Sequence, residues 1–260
     1  MKQRLDQYLT ANGFAESREK AQAIIMAGNV YVNNQKSEKS GLFLKESDVV
    51  EVRDNSIGYV SRGGLKLEKA IKEFGIDLAG KTCMDIGAST GGFTDCMLQN
   101  GAARVTCVDV GYGQLAWKLR EDKRVTNLER TNIRYIDVGS FEKCDFISVD
   151  VSFISLKLVL PVVRELLADD GECIALIKPQ FEAGRESVGK NGIVKDRAVH
   201  IAVIEGICGF ARELEMGVKG LTFSPVRGAK GNIEYLAYLG KMGEDIEIDI
   251  KGVVDDANEN

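Results

Sequence analysis

The sequence is poor in residues and segments on which several protein classes depend. It has one histidine among 260 residues, His200, so metal sites and catalytic triads built on histidine are not expected. No apolar run approaches the roughly 20 residues that a helix needs to cross a bilayer. The first residues also lack the apolar core of a secretory signal peptide. These absences predict a cytosolic (cytoplasmic) protein with no metal cofactor and no membrane partner.

The six cysteines are scattered, and no two have the CxxC spacing that is typical of metal sites and redox pairs. Four of them lie in or beside apolar runs of strand length: Cys83, Cys107, Cys144 and Cys173. Reduced cysteines in such places behave as small apolar residues. We therefore expect them to fill a protein core.

The net charge of −5 is unusual for a protein that binds nucleic acid, but the excess is local. Segment 241–260 alone has seven acidic and two basic residues, so the remainder of the chain is balanced. Such a composition is typical of a frayed, solvated end, and we predict an acidic C-terminal tail over 243–260. Binding to nucleic acid then depends on whether the remaining basic residues collect on one face.

The first 57 residues have the pattern of a small separate domain. Apolar residues with helical spacing begin at Leu5, and a second helix is predicted between an N-cap at Ser17 and a C-cap at Gly28. Two short strands follow, at 30–32 and 49–52. A unit of about 50 residues is only marginally stable alone, so we expect it to serve as an attachment to a larger domain.

From residue 81 onward, apolar runs of strand length alternate with helical stretches. The predicted strands are 82–86, 105–110, 146–151 and 173–177. The helical stretches between them include 92–99 and 158–167. This alternation predicts an α/β fold with a doubly wound parallel sheet. Segment 56–60 is the predicted linker, which divides the chain into domains 1–57 and 58–242, followed by the tail 243–260.

A glycine-rich turn follows the first strand of this sheet. Asp85 lies in that strand, and the turn that comes next contains Gly87, Gly91 and Gly92. Glycines let the backbone turn sharply and approach a ligand, and the free amides of the following helix favour a carboxylate. The spacing is not the GxGxxG of dinucleotide folds. A second acid, Asp109, ends the next strand, where a carboxylate can accept hydrogen bonds from both hydroxyls of a ribose.

Four charged residues stand apart from this turn: Lys66, Asp150, Lys178 and Glu234. Asp150 and Lys178 follow strands directly, at the edge where open α/β sheets place their sites. A lysine can accept a proton when burial and a nearby cation lower its pKa. Such a group could activate a hydroxyl, which is a poor nucleophile at neutral pH.

The N-terminal motifs resemble the RNA-binding domain that is shared with ribosomal small-subunit protein four. The matching residues are Arg4-Leu5-Asp6, the helix start at 17–21 and segment 28–33. In that family the basic residues at the start of the second helix face RNA. The resemblance therefore implies RNA contacts by Arg4, Arg18 and Lys20.

The larger domain resembles the FtsJ-type ribose 2′-O-methyltransferases, whose signature is a Lys-Asp-Lys-Glu tetrad matched here in order. With the N-terminal unit, the likeness is closest to the TlyA family, historically named haemolysins, which methylates cytidine riboses in ribosomal RNA. It implies a Rossmann-like, mostly parallel sheet with one antiparallel edge strand, preceded by the small αβ domain. It also implies S-adenosylmethionine as cofactor and ribosomal RNA or a ribosomal subunit as partner.

The same resemblance assigns roles within the tetrad. Lys178 would be the general base, Asp150 and Lys66 would tune it and hold the substrate, and Glu234 would orient the hydroxyl. Asn132 stands where many relatives have an acid on the adenine side. The implied cofactor-binding residues are Asp85, Gly87, Gly91, Gly92, Phe93, Asp109 and Asn132.

Basic residues of the larger domain are expected to extend the RNA-binding face. Segments 178–197 and 219–232 are rich in cations, and Arg62 follows the linker. The RNA-binding residues predicted in this domain are Arg62, Arg185, Lys190, Arg227 and Lys230.

Three alternatives remain open at this stage. A base methyltransferase would share the cofactor turn, but amino-group methylation usually uses an NPPY-like turn where this chain has 150–153, and carbon methylation of pyrimidines uses a Pro-Cys dipeptide, which is absent. A pore-forming haemolysin needs an amphipathic or apolar insertion segment, and none is apparent. An RNA-binding protein without methyltransferase activity is disfavoured by the intact tetrad.

Overall fold

The computed structural model describes residues 3–26, 28–33, 35–45, 47–52, 58–243 and 245–259. The N-terminal unit contains two helices and five short strands within these residues. Their bounds are β1 Gln3–Arg4, α1 Leu5–Ala11, α2 Arg18–Met26, β2 Val30–Val32, β3 Gln35–Lys36, β4 Phe43–Leu44 and β5 Val50–Val52.

A small core between the two helices and the central strand holds this unit together. Leu5 and Leu9 of α1 pack with Ile25 of α2 and Val30 of β2, and all four are fully buried. Both predicted helices are present, and the predicted cap is confirmed, since the Lys20 amide donates to Ser17 Oγ. Strands β1, β3 and β4 escaped prediction because two-residue strands leave no periodic pattern in the sequence.

The larger unit alternates strands and helices as predicted. Its elements are α3 Gly63–Phe74, β6 Thr82–Ile86, α4 Gly92–Gln99, β7 Arg104–Val108, α5 Trp117–Arg120, β8 Val125–Leu128, β9 Cys144–Val149, α6 Leu160–Leu166, β10 Leu167–Ile177, α7 Pro179–Glu182, α8 Arg197–Glu213, β11 Gly217–Phe223, β12 Tyr235–Gly240 and α9 Ile250–Glu259. Apolar residues from both faces of the sheet pack under these helices in two clusters.

The seven strands of this unit form one sheet in the order β11-β12-β10-β9-β6-β7-β8. Strands β10, β9, β6, β7 and β8 are parallel, whereas β12 runs antiparallel to both β10 and β11. The predicted mostly parallel sheet with an antiparallel edge is confirmed; the reversed strand lies one position inside that edge. Because β12 is reversed, Tyr235 at its start pairs with Ile177 at the end of β10. Residues 234 and 178 therefore meet at the same end of the sheet.

The cysteines lie where the sequence predicts them. All six are buried and form no disulfide, and four of them lie in strands of the sheet: Cys83, Cys107, Cys144 and Cys173. Burial raises the pKa of each of these four thiols, which favours the neutral, unreactive form. They serve as core residues.

The prediction of a frayed C-terminal end is wrong for its last part. Helix α9 packs on α8 and β11, and its residues Val254 and Ala257 are buried in the core of the large domain. The acidic composition concealed an amphipathic pattern in which apolar residues recur three and four positions apart. Residues 244 and 260 of the predicted tail lie outside the described residues.

The predicted linker is only partly within the described residues, since 56 and 57 lie outside them. At its described end, Val60 is buried and its amide donates to Asp95 of α4 at 2.8 Å. The two units also touch directly, because the amide of Trp117 at the start of α5 donates to Glu51 of β5 at 3.0 Å. Both contacts reach helices that flank the glycine-rich turn.

Candidate active site

The turn after β6 has the geometry that its glycines predict. Gly87 and Gly91 have φ values of 84° and 95°, in the left-handed region that favours glycine. A Cβ on Gly87 would lie 2.4 Å from the backbone oxygen of Asp150, so the turn rests directly on the end of β9. A Cβ on Gly91 would collide with Leu119 of α5. Close packing on both sides fixes the shape of this turn.

Asp85 does not face the opening above the turn, contrary to its predicted role as a cofactor ligand. Its carboxylate is buried and accepts hydrogen bonds from the Thr94 amide at 2.9 Å, the Thr94 hydroxyl at 2.6 Å and the Ser148 hydroxyl at 2.9 Å. Burial raises the pKa of Asp85 to about 6, against the effect of these hydrogen bonds. Asp85 therefore holds the first turn of α4 and strand β9 in place beneath the turn.

Two further predicted cofactor ligands, Phe93 and Gly92, pack against the protein at the position of the side chain. The ring of Phe93 is buried in the core, so only its backbone can face a ligand. A Cβ on Gly92 would lie 2.8 Å from the Gly64 amide, which means that α4 packs tightly on the start of α3. Because the first amides of a helix have no partner within it, Gly92 and Phe93 can still offer N–H groups.

Asp109 and Asn132 lie at the same end of the sheet as this turn. The half-buried carboxylate of Asp109 accepts hydrogen bonds from the amides of Ser89 at 2.8 Å and Gly111 at 2.7 Å. Each carboxylate oxygen has further acceptor capacity, so the group can also bind hydroxyls. The side-chain oxygen of Asn132 accepts from the Arg134 amide at 3.1 Å and so caps a 3₁₀ turn over 133–135.

The four charged residues predicted from the tetrad pattern come together in the fold. They form a chain of alternating charge in which Lys178 Nζ lies 2.5 Å from Asp150 Oδ1, Lys66 Nζ lies 3.5 Å from Asp150 Oδ2, and Lys66 Nζ lies 2.7 Å from Glu234 Oε2. Asp150 follows β9, Lys178 follows β10 and Glu234 precedes β12, so the sheet positions three of them. Helix α3 brings Lys66 over that edge.

The electrostatics of this chain keep its central members ionised. Burial lowers the pKa of Lys66, but the carboxylates of Asp150 and Glu234 outweigh this effect and the net pKa is raised. Burial raises the pKa of Asp150, but Lys66 and Lys178 outweigh it and the net pKa is lowered. Lys66 is thus a fixed cation between two anions.

Neighbouring residues that the sequence analysis did not select complete this site. The Lys178 ammonium donates to Ser152 Oγ at 3.0 Å, and Gln180 Nε2 approaches Glu234 Oε1 at 3.4 Å. Phe153 is 90% exposed, adopts a φ of 64° and packs on Phe181 with 4.9 Å between ring centroids. An exposed aromatic residue in a strained backbone conformation was detectable only in the structure.

The N-terminal arginines are bound inside their own domain. The fully buried Asp6 accepts hydrogen bonds from Arg4 Nε at 3.0 Å and from Arg18 Nε at 2.9 Å. Lys20 pairs with Glu16 on the surface. Arg4 and Arg18 are half-exposed, so each can present its remaining N–H groups while the pair with Asp6 fixes its position.

The predicted basic residues of the larger domain are exposed: Arg62, Arg185, Lys190, Arg227 and Lys230. Lys219, which belongs to one of the cation-rich segments, is an exception. Its ammonium pairs with Glu172 in the middle of β10, six residues before Lys178. The prediction that all cations of segment 219–232 face one side is therefore wrong for Lys219.

Comparison with known families matches both units. The sequence model of the FtsJ-like methyltransferases matches residues 59–241, and that of the S4 domain matches residues 3–50. Among the described residues, no helix is both long and apolar enough to span a membrane.

Individual relatives match over nearly the whole chain. The provisionally named rRNA methyltransferase YqxC of Bacillus subtilis is 52% identical over 99% of this chain and 94% of its own. The 16S/23S rRNA (cytidine-2′-O)-methyltransferase TlyA of Mycobacterium tuberculosis strain H37Rv is 39% identical over 97% of this chain and 94% of its own. A solved structure from Streptococcus thermophilus, provisionally called a hemolysin, has a TM-score of 0.83, is 46% identical, and the match covers 99% of this chain and 96% of that one. The chain therefore belongs to the FtsJ-like methyltransferases of the TlyA type, which carry an S4 domain.

Proposed function

We propose that this protein transfers a methyl group from S-adenosylmethionine to the 2′-hydroxyl of a cytidine ribose in ribosomal RNA. The observation that carries the proposal is the chain of ion pairs Lys178–Asp150–Lys66–Glu234, which lies directly beside the glycine turn. A turn for a cofactor and a proton acceptor at one end of a sheet are the two parts that this reaction needs.

The turn and Asp109 fit the cofactor. Positive φ values at Gly87 and Gly91 let the backbone turn sharply after β6. The first amides of α4 can then donate hydrogen bonds to the cofactor carboxylate. The Asp109 carboxylate can accept hydrogen bonds from both ribose hydroxyls, and the family likeness assigns Asn132 to the adenine side. Asp85 supports this arrangement from below. When bound, S-adenosylmethionine supplies an electrophilic methyl group on a sulfonium.

Lys178 is the proton acceptor in this proposal. As a neutral amine it takes the proton of the 2′-hydroxyl, and the resulting ammonium is then held by Asp150 Oδ1 and Ser152 Oγ. Lys66 keeps Asp150 ionised and so ready to stabilise that positive charge.

Glu234 and Phe153 position the substrate nucleotide. Glu234 is 3% exposed and fixed by Lys66, so its carboxylate provides a rigid acceptor at the rim of the site. The exposed ring of Phe153 offers a flat surface on which a base can stack. Stacking would hold the ribose while its hydroxyl aligns with the methyl group.

The relatives support ribosomal RNA and cytidine as the substrate, and the S4 domain supports RNA binding. TlyA of Mycobacterium tuberculosis is named as a 16S/23S rRNA (cytidine-2′-O)-methyltransferase, and the match covers nearly both chains. The fixed Arg4 and Arg18 and the exposed cations of the larger domain provide contacts for phosphates.

A methyl-transfer assay on ribosomal RNA tests the proposal. The enzyme is incubated with ribosomal subunits from cells that lack its gene and with labelled cofactor, and nuclease digests are read by mass spectrometry. The expected product is 2′-O-methylcytidine, absent when Lys178→Ala replaces the wild type. A methyl group on a base would instead identify a base methyltransferase, and no transfer to either subunit would refute the proposal.

A further inference from the structure

Two loops adjoin the tetrad at the same end of the sheet. The first, residues 183–195, follows α7 and therefore starts five residues after Lys178. The second, residues 224–233, connects β11 to β12 and ends immediately before Glu234. The two loops are named here the Lys178 loop and the Glu234 loop. They contain five exposed cations, Arg185, Lys190, Lys195, Arg227 and Lys230, against one exposed acid, Glu186.

One buried side chain ties the two loops together. Asn232 is 3% exposed; its Nδ2 donates to the carbonyl of Gly192 at 2.9 Å, and its Oδ1 accepts from the amide of Val194 at 3.2 Å. Its backbone carbonyl accepts from the Gly228 amide at 2.8 Å and so closes the Glu234 loop on itself. Both polar atoms of the Asn232 side chain are therefore used to bind the Lys178 loop.

The buried His200 secures the same segment from the other side. Its Nε2 lies 3.0 Å from the carbonyl of Val194, and its Nδ1 lies 2.6 Å from the hydroxyl of Tyr235. Burial lowers the pKa of His200, which favours the neutral ring. Because a carbonyl only accepts, Nε2 carries the proton and Nδ1 accepts from Tyr235. Val194 is thus held through both its amide and its carbonyl.

These hydrogen bonds bring a cation of the Glu234 loop against the Lys178 loop. A Cβ added to Gly192 would lie only 3.7 Å from Lys230 Nζ, so this ammonium lies over the Lys178 loop. Lys230 has a φ of 58°, an uncommon conformation that the closed loop maintains. A non-glycine residue in this region indicates that the surrounding structure holds its backbone in place.

We propose that Asn232 is a positioning residue that joins the two loops into one basic rim, and that this rim grips RNA phosphates beside the tetrad. The inference rests on the proposed function and adds to it a determinant of RNA affinity that takes no part in the chemistry. Without the hydrogen bonds of Asn232 the two loops would separate, and their cations would no longer form one surface for phosphate contacts.

The test compares Asn232→Ala with the wild type in steady-state methylation of ribosomal subunits. Losing both hydrogen bonds should raise KM for RNA about tenfold, while kcat and the cofactor Kd change by less than about twofold. Hydrogen exchange of 189–194 should be faster in the variant. Asn100→Ala is the matched control, because that side chain also donates to a backbone carbonyl, that of Cys96 at 2.8 Å, but at the far end of α4.

Asn232→Asp provides a second variant if Asn232→Ala folds poorly. It keeps the size and the acceptor for Val194, cannot donate to Gly192, and should still raise KM. A KM within twofold of wild type in a folded variant overturns the inference. So does a fall in kcat at unchanged KM, because Asn232 would then act through Glu234. Failure of the wild type to methylate any RNA would instead refute the proposed function.

Discussion

Two carboxylates in this molecule each lie between two cations, and their partners differ. In the S4 unit, Asp6 is held by the guanidinium groups of Arg4 and Arg18. In the methyltransferase unit, Asp150 is held by the ammonium groups of Lys66 and Lys178. In both places the cations keep the carboxyl pKa below its ordinary value.

The difference between arginine and lysine separates structure from chemistry. A guanidinium does not lose its proton in proteins, so the Asp6 cluster can only hold its parts in place and present fixed N–H groups. An ammonium can lose its proton when its surroundings favour the neutral form, so the Asp150 cluster can take up and return one. The first arrangement suits recognition and the second suits catalysis.

The largest effect on the methyl-transfer rate is expected when the Asp150 cluster loses Lys178. Lys178→Ala should lower the single-turnover rate of methyl transfer by roughly 10²–10⁴, the usual contribution of a general base. The fold and the cofactor affinity should remain nearly unchanged, because the turn at 87–92 rests on the backbone of Asp150. Rapid-quench kinetics with saturating RNA measure the rate, and a loss of less than tenfold would exclude Lys178 as the base.

Asp109 is a third carboxylate, and it is held by backbone amides where Asp6 and Asp150 are held by cations. Asp109→Ala should weaken cofactor binding by roughly 1–3 kcal/mol, because ribose hydroxyls would lose a charged acceptor. Isothermal titration calorimetry gives the affinity. Asp137→Ala is the matched control, because Asp137 also accepts from a backbone amide, that of Gly139, but on the exposed surface. Equal cofactor affinity in the two variants would contradict the role of Asp109.

A variant of Asp6 tests whether the cluster of the S4 unit only stabilises structure. Asp6→Asn should destabilise the S4 unit by about 1–2 kcal/mol through weakened charge-assisted hydrogen bonds, and hydrogen exchange in α1 and α2 should accelerate. The single-turnover rate at saturating RNA should not change. Asp48→Asn, in an exposed turn, is the control. A reduced rate constant for methyl transfer would show that the two clusters are not separate in function.

The same residue predicts a pH dependence of the S4 unit. Hydrogen bonding to Arg4 is the main cause that lowers the pKa of Asp6 in the folded state. The ion pairs therefore stabilise the unit above the unfolded pKa of about 4, and this contribution is lost as the pH falls below that value. Asp6→Asn should remove this part of the acid sensitivity in hydrogen exchange measured between pH 5 and pH 3.

The smallest effect is expected from the acidic helix α9. Asp255 pairs with Arg197 at 2.8 Å, and Arg227 reaches the carbonyl of Ala257 at 3.4 Å, so the helix contacts one cation of α8 and one of the Glu234 loop. The double variant Asp255→Asn, Asp256→Asn should tighten RNA binding about two- to threefold at low salt, with less effect at high salt. Deleting the helix is unsuitable, because Val254 and Ala257 are buried. Unchanged affinity would show that RNA does not approach α9.

The sequence contained enough to predict the sheet and the membership of the tetrad. Strand β6 and helix α4 have the predicted bounds, because their apolar patterns are long and end at clear glycine signals. Residues such as Asp150 and Lys178 could be expected to meet because parallel strands end at one edge. Glu234 lies at that edge because β12 runs in the reverse direction. From the sequence, only the family likeness implied that Glu234 joins the other three residues.

Side-chain direction could not be read from the sequence. Asp85 lies inside β6 and Asp109 directly follows β7, and the sequence predicted both as cofactor ligands; in the fold the first points inward to Thr94 and the second remains half-exposed. The role of Asn232 depends on two loops that are 40 residues apart, and no local periodicity reports such a contact. Helix α9 was missed because charge composition is a weaker guide than apolar spacing.

The measurement that tests the central claim most directly is the single-turnover methyl-transfer rate of Lys178→Arg, compared with Lys66→Arg. Lys66 is a fixed cation between two carboxylates, so an arginine there should retain measurable transfer. Lys178 must lose a proton, so Lys178→Arg should be as slow as Lys178→Ala, because a guanidinium stays protonated. A Lys178→Arg rate close to that of the wild type would show that this position supplies only charge, and the proposed base would be wrong.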